Sequence, residues 1–149
     1  MNIRFLAAQS VDLPILMKYM KAFHEFDHIT PFDEISARSA MEKIVFDKTI
    51  GRVWLIQQTG DIVGYIVLTL AFRLEYRGYY AFLDELYVRA DSRGQGIGTA
   101  ALAFLKQACS QIGVQTLQLE VKHDNSNASN LYYNNGFSRQ ERYVLVKQI

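Results

Sequence analysis

One stretch of the sequence decides the fold, and it reads Leu86-Tyr87-Val88-Arg89-Ala90-Asp91-Ser92-Arg93-Gly94-Gln95-Gly96-Ile97-Gly98-Thr99. Its first residues predict the end of a strand, and the apolar periodicity that follows predicts a helix over about 99–112. A helix N-terminus presents free N–H groups and the positive end of the helix dipole. Glycines let an anion approach the backbone, and Arg93 adds a positive charge. The loop therefore predicts a phosphate site.

Two other phosphate motifs fit this loop less well. A P-loop needs Gly-Lys-Ser/Thr, which the sequence lacks. Gly96-x-Gly98-x-x-Ala101, with Glu120 about 20 residues later, matches the dinucleotide-binding glycines. However, seven residues separate Val88 from Gly96, and only 29 residues follow Glu120, too few for a doubly wound sheet. The dinucleotide interpretation is therefore not favoured.

The remaining patterns predict a single α/β domain over residues 1–149, with a mixed, mostly antiparallel sheet flanked by helices. The predicted order is a strand, two helices, three strands, a helix, a strand, a helix and a final strand. The last four elements are expected at about 99–112, 115–121, 126–134 and from 137 onward. Pro14 and Asp33 mark helix starts, and Gly113 marks a helix end.

Composition excludes several classes of function. The formal net charge is +1, which gives no electrostatic reason to expect nucleic acid or an anionic membrane as a partner. No apolar run reaches the roughly 20 residues that a membrane helix needs, and the N-terminus does not resemble a signal peptide. With a single cysteine, Cys109, no internal disulfide can form. We expect a soluble, cytoplasmic protein.

A second motif follows one strand later, Asn125-Ser126-Asn127-Ala128-Ser129-Asn130-Leu131-Tyr132-Tyr133-Asn134-Asn135-Gly136-Phe137. Together with Arg93-x-x-Gly96-x-Gly98, it resembles the GNAT superfamily of N-acetyltransferases. The first motif resembles the family's pyrophosphate loop, and the second its Asn-x-x-Ala-x-x-Leu-Tyr-x-x-x-Gly-Phe signature. Residues 83–88 resemble the strand that precedes the loop. The element order over the whole chain also fits this family.

The resemblance implies that acetyl-CoA binds in a V-shaped gap between the fourth and fifth strands, which splay apart. Backbone groups of Leu86 and Val88 would bond the pantetheine amides, and the N–H groups of residues 94–99 would hold the pyrophosphate. Asn125 would reach the pantetheine arm, although it suits a helix N-cap equally well. The cofactor-binding residues expected are Leu86, Tyr87, Val88, Arg93, Gly94, Gln95, Gly96, Ile97, Gly98, Thr99, Asn125, Ala128 and Tyr132.

Acetyl transfer to an amine makes three chemical demands. The ammonium must lose a proton, because an alkylamine has a pKa of about 10, and the leaving thiolate, with a pKa of about 8.5, must gain one. The carbonyl oxygen needs a donor, which we expect to be a backbone N–H near Val88. Tyr132 is the candidate acid, from its match to the family's Leu-Tyr. Asp84 and Glu85 are the candidate bases; strand alternation turns them to opposite faces, and family strands favour Asp84.

Three questions stay open. His24-Glu25-x-x-His28 matches the zinc-protease pattern, but Pro31 and Glu34 occupy the Gly and His positions of its metzincin extension, so we expect no metal. A non-catalytic acyl-CoA sensor is the second alternative. The acceptor is not named by the sequence. Acids that could flank the pocket suggest a small cationic amine as the acceptor; they are Asp27, Asp33, Glu34, Glu75, Asp84 and Glu85. A homodimer is also possible.

Overall fold

A computed structural model describes residues 2–27, 29 and 31–149 of the chain. Its centre is a five-stranded sheet in which the strands follow one another in chain order. The first four strands pair antiparallel, whereas the fifth runs parallel to the fourth. The strands are β1 (Ile3–Ala7), β2 (Gly51–Gln58), β3 (Asp61–Arg73), β4 (Gly78–Val88) and β5 (Leu117–Gln118). This mixed sheet confirms the predicted fold class.

Four helices flank the sheet, and local sequence signals explain where they begin and end. They are α1 (Leu13–Phe26), α2 (Glu34–Phe46), α3 (Ile97–Ile112) and α4 (Ser126–Asn134). Pro14 lies in the first turn of α1, and the Asp33 carboxylate caps α2 by accepting from the Ile35 N–H at 3.2 Å. Gly113 ends α3 with a φ of 92°, a backbone conformation that favours glycine.

The sheet buries an apolar layer on each face. One layer packs against α3 and includes Ile66, Leu83 and Leu105. The other packs against α1 and α2 and includes Leu16 and Tyr65. Each fully buried side chain of this size stabilises the fold by about 1.5–3 kcal/mol. The two layers fix β4 between α1 on one side and α3 on the other.

β4 and β5 separate after a short parallel contact. They pair only through Ala81 with Leu117 and Phe82 with Gln118. Beyond this point β4 continues to Val88 with no strand beside its outer edge in the described part of the chain. The sheet therefore opens between its fourth and fifth strands, where the resemblance implied a V-shaped gap.

β4 contains a bulge within this open stretch. Leu83 pairs with Leu68 and Glu85 pairs with Val67, so Asp84 is an extra residue with no partner opposite it. A bulge of this kind breaks the two-residue alternation of a strand and redirects side chains. The prediction that Asp84 and Glu85 alternate across the sheet is therefore wrong, because the alternation restarts after Asp84.

Two predicted strands differ from the structure. The strand expected over 115–121 is reduced to Leu117–Gln118, and residues 137–149 form no regular element. Tyr143 and Leu145 in this last segment are 95% and 91% exposed. Strand-forming residues need a partner strand, and an edge of two residues is too short to hold one. Within the described residues, no helix has the length and apolar character needed to cross a membrane.

Candidate acyl-CoA site

The glycine loop leads directly into α3 and leaves its backbone donors free. The N–H groups from Gly94 to Thr99 donate to no described residue, and the first helical bond of this region runs from Ala100 N–H to the Gly96 carbonyl at 3.1 Å. Gly94 and Gly96 have φ values of 73° and 82°, and the space where a Cβ would stand is open at both. A row of free N–H groups at a helix N-terminus is suited to bind an anion.

Gly98 has a different role from the other two glycines. A Cβ at this position would lie 2.9 Å from Cδ2 of Leu131 on α4. Its small size therefore allows α3 and α4 to pack closely, rather than letting phosphate reach the backbone. Of its neighbours, Ile97 is buried in the core, whereas the Thr99 and Gln95 side chains are exposed.

The end of β4 presents backbone groups to the gap. The Arg89 N–H donates inward to the Val63 carbonyl at 2.7 Å, which turns the Val88 carbonyl of the same peptide toward the outer edge. Leu86 lies two residues earlier and therefore directs its N–H and carbonyl to the same edge. Contact of these two residues with pantetheine stays a prediction. The Tyr87 side chain turns the other way and is buried against α1.

Arg93 does not lie against the glycine loop as the sequence suggested. Its Nε donates to the Val88 carbonyl at 2.7 Å. Its guanidinium carbon lies 5.1 Å from the ring centre of Phe26 and 5.7 Å from that of Tyr87. The carbonyl expected to bond pantetheine is thus occupied by Arg93 in this structure, and cofactor contact there requires the arginine to move.

The second motif forms α4 and its cap. The Asn125 side chain accepts from the Ala128 N–H at 3.2 Å, so the capping role is observed, and contact with pantetheine stays a prediction. Tyr132 is half-buried, with its ring packed edge-on against Phe137 at a centroid distance of 5.7 Å and an interplanar angle of 66°. No described residue bonds its hydroxyl, and that oxygen is not among the fully buried polar atoms. Burial raises the pKa of this phenol, so it keeps its proton at neutral pH.

The two acids of the β4 bulge differ in their surroundings. Glu85 is only 12% exposed, and both of its oxygens are engaged: Oε2 by His24 Nε2 and Oε1 by the Tyr65 hydroxyl at 2.8 Å. Asp84, in contrast, is exposed. Burial raises the pKa of both carboxyls, and the charge of His24 opposes this at each. Asp84 is therefore the acid whose oxygens no described residue engages, so they can meet an acceptor.

Sequence reasoning missed the contact between His24 and Glu85. The His24-Glu25-x-x-His28 pattern drew attention to a metal, but the imidazole of His24 contacts Glu85 on β4 instead. Glu25 is exposed, and His28 lies outside the described residues. The described ranges contain no group of three His, Cys, Asp or Glu side chains arranged to hold a metal ion. The separation of 61 residues between His24 and Glu85 hides this contact from any local pattern.

Comparison with known proteins agrees with this geometry. The model of the acetyltransferase (GNAT) family matches residues 15–137, which include the β4 edge, the glycine loop and α4. The chain belongs to the GNAT acetyltransferase family. Membership supports an acyltransferase activity.

Three similar proteins illustrate the range of the family. The chain is 24% identical over 144 residues to the uncharacterized N-acetyltransferase YhfO of Bacillus subtilis (strain 168), covering 97% of this chain and 94% of that protein. It is 28% identical over 95 residues to an aminoalkylphosphonate N-acetyltransferase of Salmonella typhimurium, covering 64% and 61%. The crystal structure of integron cassette protein HFX_CASS3, from the mobile metagenome of Cole Harbour Salt Marsh, superposes with a TM-score of 0.86 at 33% identity, covering 97% and 90%.

Proposed function

We propose that this GNAT protein transfers the acetyl group of acetyl-CoA to a primary amine. The observation that carries the proposal is the row of free N–H groups from Gly94 to Thr99, which adjoins the open edge of β4. The row suits a pyrophosphate, and the edge suits an extended arm with amide groups. Residues 94–99, Leu86 and Val88 would hold acetyl-CoA in this way, and Asn125 and Ala128 would lie along the arm.

The chemistry is a direct displacement at the thioester. The amine nitrogen attacks the acetyl carbon, the new C–N bond forms, and the C–S bond breaks as the electron pair leaves on sulfur. The Val88 N–H points to the outer edge and would stabilise the oxygen while it carries negative charge. Tyr132, whose raised pKa keeps it protonated, gives its proton to the thiolate. Asp84, directly or through a water, takes the proton that the ammonium loses.

The acceptor class follows from which acids remain available. Glu75 is paired with Arg142 at 2.7 Å, Asp27 lies 3.5 Å from Lys122, and Asp33 caps α2. These three acids are engaged elsewhere, and Glu34 lies exposed in the first turn of α2. Of the six candidate acids, Asp84 and Glu85 are therefore the two that lie on β4 beside the gap. A compact negative site of this kind favours a small cationic amine. The Salmonella relative's name adds aminoalkylphosphonates to the candidates, beside polyamines and amino-acid-like amines.

A thiol-release screen tests the proposal. Acetyl-CoA would be supplied with a polyamine, an aminoalkylphosphonate, an amino acid amide and a peptide with a free N-terminus. Release of CoA thiol with at least one amine, matched by N-acetylated product in the mass spectrum, is the expected result. Tight CoA binding in calorimetry without thiol release from any amine would instead indicate an acyl-CoA sensor.

Replacement of Asp84 by asparagine tests the base. The substitution keeps the shape of the side chain and removes its basic oxygen. We expect kcat/KM at pH 7 to fall about tenfold, below the usual effect of about 10²–10⁴ because water can reach this exposed position. The deficit should shrink as pH rises and free amine accumulates, while calorimetric CoA affinity stays unchanged.

The matched comparison is Glu85→Gln, which neutralises the neighbouring carboxyl. Its oxygens are already engaged by His24 and Tyr65, so it should not reproduce the pH-dependent loss. A ratio of Asp84→Asn to wild-type kcat/KM that is flat across pH would remove Asp84 as the base. The same pH dependence in Glu85→Gln would transfer that role to Glu85.

A further inference from the structure

We propose that His24 is the positioning residue of the catalytic base. It holds Glu85 in place beside Asp84, and its positive charge favours the ionised form of Asp84, which is the form that accepts the amine proton. The inference rests on the proposed function, in which Asp84 is the base. It concerns a side chain on α1, 60 residues before Asp84, that neither of the two family motifs contains.

The geometry links three elements at the β4 bulge. His24 on α1 contacts Oε2 of Glu85, and Tyr65 on β3 donates to Oε1 of the same carboxylate at 2.8 Å. His24 and Glu85 are only 13% and 12% exposed. The imidazole is enclosed by aromatic rings, with the Phe32 ring perpendicular to it at a centroid distance of 5.6 Å. Glu85 is thus fixed from both sides, and the bulge residue Asp84 is attached directly to this fixed point.

The arrangement explains how two adjacent carboxylates coexist near a gap. The two carboxylates would repel each other if both were ionised, and a cation beside them offsets that repulsion. The groups that act on the pair are His24 from α1, Tyr65 from β3 and, through Tyr65, Tyr87 on β4. Among them only His24 can carry positive charge. Its charge lowers the pKa of the Asp84 carboxyl against the larger raising effect of burial.

Loss of the His24 charge should raise the pKa of the Asp84 carboxyl. Without His24, nothing in this set opposes burial at Asp84, so its carboxyl would hold its proton to higher pH. A protonated Asp84 cannot accept a proton from the amine. In a variant that lacks the imidazole, the pH below which kcat/KM falls (the acid limb of the profile) would therefore be higher.

The variant is His24→Gln, which retains an amide N–H able to donate to Glu85 but carries no charge. Carboxyl signals of Asp84 and Glu85 would be followed by carbon NMR against pH in the full chain without cofactor. We expect the Asp84 signal to titrate at higher pH than in the wild type. With acetyl-CoA and the best amine of the screen, the acid limb of kcat/KM should move in the same direction.

Tyr65→Phe is the matched control, because it removes the other hydrogen bond to Glu85 without removing a charge. Loss of that bond favours the neutral form of Glu85, as loss of the His24 charge also does, so this control isolates the effect that reaches Asp84 through weaker repulsion from Glu85. The Asp84 signal should then stay in place or move to lower pH. An upward shift equal to that of His24→Gln would overturn the inference, because loosening of Glu85 alone would explain both.

An unchanged Asp84 signal in folded His24→Gln also overturns it. If His24→Gln melts below the assay temperature, His24→Asn takes its place with the same expected shift and the same contradicting result. The NMR titration needs no acceptor. A shifted Asp84 signal without acetylation of any amine would therefore count against the proposed function while leaving the charge coupling intact.

Discussion

Gly96→Val is expected to abolish CoA binding while leaving most of the fold intact. Gly96 is the residue before α3, and its N–H belongs to the free row at the helix N-terminus. The space where a Cβ would stand is now open, and it is the space through which a phosphate must approach. Titration calorimetry with CoA should give no measurable heat of binding for the variant.

The variant also introduces backbone strain, which needs a control. Gly96 has a φ of 82°, where a β-branched residue is strained by about 1–3 kcal/mol. Gly113, at the other end of the same helix, has a φ of 92° and open space around its Cβ position. Gly113→Val should therefore lower the melting temperature to a similar degree and still bind CoA. Unchanged CoA affinity in folded Gly96→Val would refute the pyrophosphate assignment.

Local signals in the sequence predicted the fold class and most of the helix ends. The glycines before α3, Asp33 at α2 and Asn125 at α4 act on the backbone within a few residues of themselves. Such effects are visible in a single sequence because their partners are close in the chain. The order of strands and helices followed from the same local patterns, whereas the gap between β4 and β5 was expected from the resemblance to the family.

The acceptor side depends on contacts that no local pattern contains. The bulge at Asp84 arises from the pairing of β4 with β3, and it cancels the alternation from which the facing of Asp84 and Glu85 was predicted. His24 meets Glu85 only after α1 has packed on the sheet. Arg93 was predicted to accompany the phosphate because of its charge, yet an exposed carbonyl and two aromatic rings hold it elsewhere. In each case a tertiary contact changed the role of a correctly located residue.

Tyr132→Phe is expected to lower kcat by roughly 10²-fold, the usual scale for loss of a general acid. The substitution deletes one hydroxyl and keeps the ring that packs against Phe137. Because burial raises the pKa of this phenol, the wild-type enzyme has a protonated donor throughout the neutral range. CoA affinity should stay within a few-fold, since the contacts proposed for the cofactor lie mainly on the loop and β4. The rate should be measured in single turnovers, so that product release does not mask the chemical step.

The melting temperature of Tyr132→Phe distinguishes a catalytic role of Tyr132 from a packing role. A lost hydrogen bond typically costs about 1 kcal/mol, and the Tyr132 hydroxyl has no partner among the described residues, so the melting temperature should barely change. Tyr133 is the control on the same helix. It is 52% exposed and points about 100° away from Tyr132, so Tyr133→Phe should keep nearly full kcat. Normal turnover in Tyr132→Phe together with a clear loss of stability would make Tyr132 a packing residue, and the thiolate would then take its proton from solvent.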